Sequence, residues 1–128
     1  MPRIQSAAVS VIALDHVQIA APSGCEAAAR RFYVGVLGLA EVEKPEPLRH
    51  RGGVWFAVGA QQLHVGVDDA FASARKAHPA LRVRNADLDA LAARIEASGS
   101  AVTWDEALPG VRRFYADDPW GNRVELLA

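Results

Sequence analysis

The chain has 128 residues, a formal net charge of −1 and 51% hydrophobic residues, a size and composition that suit one domain with a substantial core. Near-neutral charge gives no footing for nucleic-acid or polyanion binding, and one cysteine, Cys25, excludes an internal disulfide framework and fits a reducing compartment. The apolar run 7–14 is too short to span a bilayer and leads straight into the first strand. No signal or transmembrane segment is read, and a soluble cytoplasmic protein without a membrane partner is expected.

Residues 12–20 are rich in β-branched and apolar types and read as a strand, stopped by Pro22 and Ser23. Ser23 and Glu26 have capping-box spacing ahead of the helix formers of 27–37, and Gly38 is placed to end that helix. Residues 39–43 form a short strand, followed by a polar loop with Pro45, Pro47, His50 and Gly52-Gly53. Residues 54–58 and 61–67 pair as a hairpin around Gly59-Ala60.

The second half repeats this order. Residues 78–83 read as a strand, and Asn85 or Asp87 can cap a helix whose apolar positions Leu88, Leu91, Ala92 and Ile95 follow helical spacing up to Gly99. Residues 101–104 form a strand, Pro109-Gly110 a turn, and 111–116 with 123–127 a hairpin across Asp118-Pro119-Trp120-Gly121-Asn122. The prediction is an α+β domain over 1–128 made of two βαβββ modules, about 12–67 and 78–128, joined by a linker at about 68–77.

The repeat sets chemistry-bearing residues at matching places. His16 lies in the first strand of one unit and His78 in that of the other. His64 and Glu125 occupy the last strands at nearly the same offset. If each unit curls its sheet, a pseudo-twofold pairing gathers three imidazoles and one carboxylate around one cavity. Such a mixed N/O set suits a divalent ion such as Ni, Co, Mn, Fe or Zn and leaves positions open for a substrate. Strand alternation puts Gln18, Gln62, Arg82 and Arg123 on the same faces as these residues, where they can meet an oxygen-rich or anionic substrate or form a solvated rim. His50 has no counterpart and reads as solvated, and Cys25 reads as a packing residue. Trp55, Phe56, Trp104, Phe114 and Trp120 read as core or as stacking surface.

The stretches Leu14-Asp15-His16-Val17-Gln18-Ile19, Arg31-Phe32-Tyr33, Leu37-Gly38-Leu39 and Phe114-Tyr115-Ala116-Asp117-Asp118-Pro119-Trp120-Gly121-Asn122-Arg123-Val124-Glu125 resemble the vicinal oxygen chelate superfamily. That superfamily includes glyoxalase I, bleomycin- and fosfomycin-resistance proteins, methylmalonyl-CoA epimerase and extradiol dioxygenases. The resemblance implies a curved mixed sheet around a metal cavity, the glyoxalase-like fold. It also implies a divalent ion on His16, His64, His78 and Glu125 and a homodimer acting on a small molecule. Glyoxalase I has glutamate and the epimerase glutamine where this chain has His64, so His64 is either a fourth ligand or an acid/base. Three activities follow. A glyoxalase-like lyase or isomerase leads. An extradiol-type Fe(II) dioxygenase, with Tyr115 hydrogen-bonding the substrate, is second. A drug-binding protein without turnover is third.

Overall fold

The computed structural model describes residues 10–128, so the part of the N-terminal apolar run before residue 10 lies outside the described residues. The first half folds as β1 (His16–Ala21), α1 (Glu26–Ala29) continuing into a π-helix (Arg30–Val36), β2 (Ala40–Val42), a 3₁₀ segment (Glu46–Arg51), β3 (Val54–Val58) and β4 (Gln61–Val67). The second half gives β5 (Ala80–Arg82), a 3₁₀ turn (Asn85–Asp87), α2 (Leu88–Ala97), β6 (Val102–Trp104), β7 (Arg113–Asp117) and β8 (Arg123–Leu127). Each half forms one four-stranded mixed sheet, ordered β1-β4-β3-β2 and β5-β8-β7-β6, with the outer strand parallel to its neighbour and the rest antiparallel. The predicted α+β architecture of two like units is what the chain adopts. No helix among the described residues is long and apolar enough to cross a membrane.

Several boundaries differ from the sequence reading, each for a physical reason. Glu26 does not close a capping box. Cys25 is the N-cap with no side-chain cap bond, because the Glu26 carboxylate accepts the Gly53 N–H at 2.7 Å instead. The helix widens after Ala29, and Leu37 N–H bonds to Phe32 O five residues back at 2.9 Å. This wider winding lets the successive residues Phe32 and Tyr33 both enter the core. In the second half, Pro79 has no N–H to give a ladder, so β5 begins only at Ala80 and His78 precedes the strand. Pro79 still accepts from Glu125 N–H at 3.0 Å, which fixes its place beside β8.

The core lies between the sheets and helices. Ile19, Phe56, Leu63 and Val65 from the first sheet, with Phe32 and Tyr33, pack in one cluster with Leu88, Ile95, Phe114, Val124 and Leu126. Burial of such side chains stabilises by roughly 1.5–3 kcal/mol each. The other face of each sheet carries the polar residues.

The two halves are also joined by hydrogen bonds around the turn after β7. Asp118 accepts from Trp120 and Asn122 N–H at 3.0 and 2.8 Å, and from the Tyr33 hydroxyl and Asn122 Nδ2 at 2.8 and 3.0 Å. Asn122 Nδ2 also donates to Ala20 O at 2.8 Å, and Asn122 Oδ1 accepts from Ala74 N–H at 3.0 Å. Four donors on one buried carboxylate favour its charge. Burial nonetheless dominates and raises the Asp118 carboxyl above its ordinary value.

Candidate metal and substrate face

On the first sheet, the register sets Gln18 and Trp55 on either side of His64, and His16 and Ala57 on either side of Gln62. Side chains in register share a face, so His16, Gln18, Gln62 and His64 project together, away from the core side. His64 is 4% exposed. Its ring is stacked between His16, with centroids 4.1 Å apart, and Trp55, at 3.9 Å and an interplanar angle of 1°. Its Nε2 lies 2.8 Å from Gln62 Oε1. With the amide oxygen facing it, Nε2 carries the proton and Nδ1 keeps the lone pair. Burial, then the neighbouring His16, push the His64 imidazole below its ordinary value, so it stays neutral. Gly66 makes room for this layer, since a Cβ there would sit 2.8 Å from the Gln18 amide.

On the second sheet, Ala80, Glu125 and Tyr115 stand in one row across β5, β8 and β7. Glu125 is 7% exposed. His78 Nε2 lies 2.9 Å from Glu125 Oε1, while His78 Nδ1 lies 2.9 Å from Lys76 O. The carbonyl fixes the tautomer with its proton on Nδ1, the arrangement that orients a metal-ligating histidine. Nε2 and Oε1 then face one another as two electron-pair donors. Two adjacent ligands held at about 2.1 Å from an octahedral ion stand about 3 Å apart. The pair therefore has the spacing of neighbouring ligands.

Around that pair, Arg113 spans two carboxylates, with Nη1 3.5 Å from Glu125 Oε2 and Nη2 3.1 Å from Asp105 Oδ2. Asp105 also accepts the Tyr115 hydroxyl at 3.1 Å. The His78 ring meets Tyr115 edge-on with centroids 5.6 Å apart. Arg123 shares the Glu125 face, as strand alternation predicts, and so does Arg82, whose register partner is Leu127.

The four expected ligands thus resolve into two pairs, His16 with His64 and His78 with Glu125. Among the described residues no group of three or more His, Cys, Asp or Glu is arranged to hold a metal ion. The donor chemistry of both pairs fits a borderline divalent ion, and the His78–Glu125 geometry fits it directly. The stacked His16–His64 rings would have to part before both could face one ion. One member of each pair, His16 and His78, lines a common cleft of about 670 Å³ with Gln62 and Arg82 between β1 and β5, while His64 and Glu125 stand outside it. His50 is exposed in the 3₁₀ segment and Cys25 is buried beside Glu26, as read from the sequence. Sequence reasoning missed Arg113, Asp105 and the Trp55–His64 stack. Arg113 had a legible signal, two residues before Tyr115 on the same strand face.

A model of the Glyoxalase/Bleomycin resistance protein/Dioxygenase superfamily matches residues 13–126. The chain belongs to this superfamily. A crystal structure of a glyoxalase family protein from Bacillus anthracis is 44% identical, covers 94% of this chain and 97% of its own, and superposes with a TM-score of 0.88. Two more distant structures share the superfamily fold. Lactoylglutathione lyase from Agrobacterium tumefaciens is 23% identical over 93% of this chain and 95% of its own, with a TM-score of 0.72. A fosfomycin resistance protein from Listeria monocytogenes is 18% identical over 92% and 93%, with a TM-score of 0.73. A search of curated proteins gives no match.

Proposed function

We propose that this member of the superfamily is a metal-dependent enzyme of the glyoxalase type, a lyase or isomerase acting on a small oxygen-rich substrate. The observation that carries this reading is the His78–Glu125 pair. It is mostly buried, spaced as adjacent ligands at 2.9 Å, and oriented from behind by the Lys76 carbonyl. His16 and His64 would complete the donor set. A divalent ion held there supplies Lewis acidity toward two neighbouring oxygens of a substrate.

The chain's own residues divide the remaining work. Trp55 covers one face of His64 and keeps water from it, and Gln62 holds the ring so that Nδ1 is the free proton acceptor. Gln18 presents an amide beside it in the pocket that Gly66 leaves open. Arg113 holds Oε2 of Glu125 and so leaves Oε1 to His78.

Because the donors fall into two pairs, we further propose a homodimer in which the His16–His64 pair of one protomer meets the His78–Glu125 pair of the other. The edge positions of β1 and β5 in their sheets and the exposed Leu14 and Val17, which line the cleft between those strands, support this arrangement.

The first test is metal analysis of protein purified without chelator or affinity metal, with thermal shifts in Ni, Co, Mn, Fe and Zn. Bound ion and stabilisation are expected. Their absence overturns the enzyme reading in favour of a drug-binding protein. Assays with the methylglyoxal–glutathione adduct, and with catechols after anaerobic Fe(II) loading, then separate lyase from dioxygenase. His64→Gln assigns that residue: metal kept with turnover lost means acid/base, and metal lost means ligand. Mixing His16→Ala/His64→Ala protein with His78→Ala/Glu125→Gln protein should restore one metal site per heterodimer, and failure to restore it overturns the shared site.

A further inference from the structure

Tyr115 lies between two arginines. The register puts Arg113 one row to one side of the Tyr115–Glu125 row and Arg123 one row to the other. Their guanidinium carbons lie 5.8 and 4.9 Å from the Tyr115 ring centroid. The ring's hydroxyl donates to Asp105. The two cations are not equivalent. Arg113 is neutralised by Glu125 and Asp105. Arg123 has no carboxylate partner among the described residues. Asp117, which faces it across the ladder, turns its carboxylate to Arg75 instead. The Nε atoms of both arginines are shut off from water with no acceptor among the described residues, so the difference between them lies in the missing carboxylate at Arg123. Among the described residues the Arg123 guanidinium makes no hydrogen bond and lies over the phenol ring, which leaves the terminal N–H groups without a carboxylate. A buried donor without an acceptor is rare in folded proteins and calls for a reason.

The charge balance of this face supplies one. Arg82, Arg113 and Arg123 stand on it against Glu125, Asp105 and Asp117, but Asp117 is taken up by Arg75, which leaves Arg123 without a counter-charge, and a bound divalent ion would add further positive charge. A guanidinium without a carboxylate partner keeps a planar N–H edge that can take a planar carboxylate through two parallel hydrogen bonds.

We propose that Arg123, whose guanidinium lies over the Tyr115 ring, is the recognition group for a carboxylate on the substrate, and that Arg113 is a positioning residue that holds Glu125. The proposal names the substrate class of the site described above and rests on that face being the active face. It does not require the metal to be bound, so the two can fail separately.

The test uses full-length, metal-free protein and three probes: benzoate, its neutral isostere benzamide, and phenylphosphonate. The signal followed is the Arg123 Nε–H cross-peak in ¹⁵N-edited NMR, which its burial protects from exchange. Benzoate should shift this peak saturably and benzamide should not. Arg123→Gln should weaken benzoate binding by about ten- to hundredfold, as expected for loss of a bidentate charge-assisted pair. Arg112→Gln, which removes an exposed arginine paired with Asp89, should leave it unchanged. Arg123→Lys keeps the charge but not the planar edge and should retain only part of the affinity, a readout that a merely structural role would not produce. Equal benzoate binding by Arg123→Gln, or no saturable shift, overturns the proposal. Phenylphosphonate binding ten times tighter than benzoate overturns the assignment to a carboxylate. Metal binding that fails while benzoate binds to Arg123 refutes the metalloenzyme reading alone.

Discussion

Asn122→Ala tests the hydrogen-bonded join between the two halves. The side chain is 1% exposed and makes three bonds, to Ala20 O, to Asp118 Oδ2 and from Ala74 N–H. Alanine removes all three without supplying a replacement. Asp118 keeps the Tyr33 hydroxyl and two backbone donors, so its loss is small. The Ala20 carbonyl and Ala74 N–H each lose a partner in a site that water reaches poorly, at about 1–3 kcal/mol apiece. The expected cost is about 3 kcal/mol, a large share of the roughly 5–15 kcal/mol by which a domain is stable. Tyr33→Phe is the internal control, because it removes only one of four donors to Asp118 and should cost about 1 kcal/mol. Urea unfolding followed by tryptophan fluorescence gives both values by linear extrapolation. In a thermal scan Asn122→Ala should melt about 10–15 °C lower. An Asn122→Ala loss no larger than that of Tyr33→Phe would refute the assignment of this turn as the join.

Other outcomes follow from the same geometry. Glu125→Gln or His78→Ala should weaken Zn²⁺ or Ni²⁺ binding by at least about tenfold by calorimetry, and saturating the wild type at about 100 times Kd should add about 2.7 kcal/mol of stability. Gly53 sits at a φ of +86°, and a Cβ there would lie 2.1 Å from Val65 O. Gly53→Ala should therefore cost about 3 kcal/mol or more by urea titration, since it combines left-handed strain with overlap on an immobile backbone atom. The Gly53 N–H holds the Glu26 carboxyl below its ordinary 4.5. A depressed acid stabilises the fold above its unfolded value and loses that contribution as pH falls through the folded one. The wild type should accordingly lose more Tm than Glu26→Gln on acidification below about pH 4.5. Equal slopes would show that the bond contributes nothing.

The sequence was most legible where local pattern and tertiary environment agree. The limits of β3, β4 and β8 follow from alternating apolar residues and from the Gly59-Ala60 turn. The π-helix over Arg30–Val36 left no local signature, because it answers to Phe32 and Tyr33 both needing the core. The capping box failed because Glu26 found a better donor 27 residues away, a contact that spacing rules cannot see. For the candidate site, alternation placed His16, Gln18, Gln62 and His64 on one face and Arg82, Arg123 and Glu125 on another, as the strand register has them. Periodicity relates equivalent positions in two modules without saying how the modules meet, so the division of the donors into two pairs was not readable. Arg123's isolation was hidden for a related reason, since the diversion of Asp117 to Arg75 depends on the linker's path.

The turn from Asp118 to Asn122, which marks the chain most distinctly as kin of glyoxalases and resistance proteins, spends its side chains on holding the two sheets to each other. None of those hydrogen bonds reaches His78, Glu125 or Tyr115. Within the family-like stretch 114–125, the turn and the face that carries Tyr115, Arg123 and Glu125 thus make separate sets of contacts. Substitutions at Arg123 or Tyr115 therefore leave the hydrogen bonds of this join untouched.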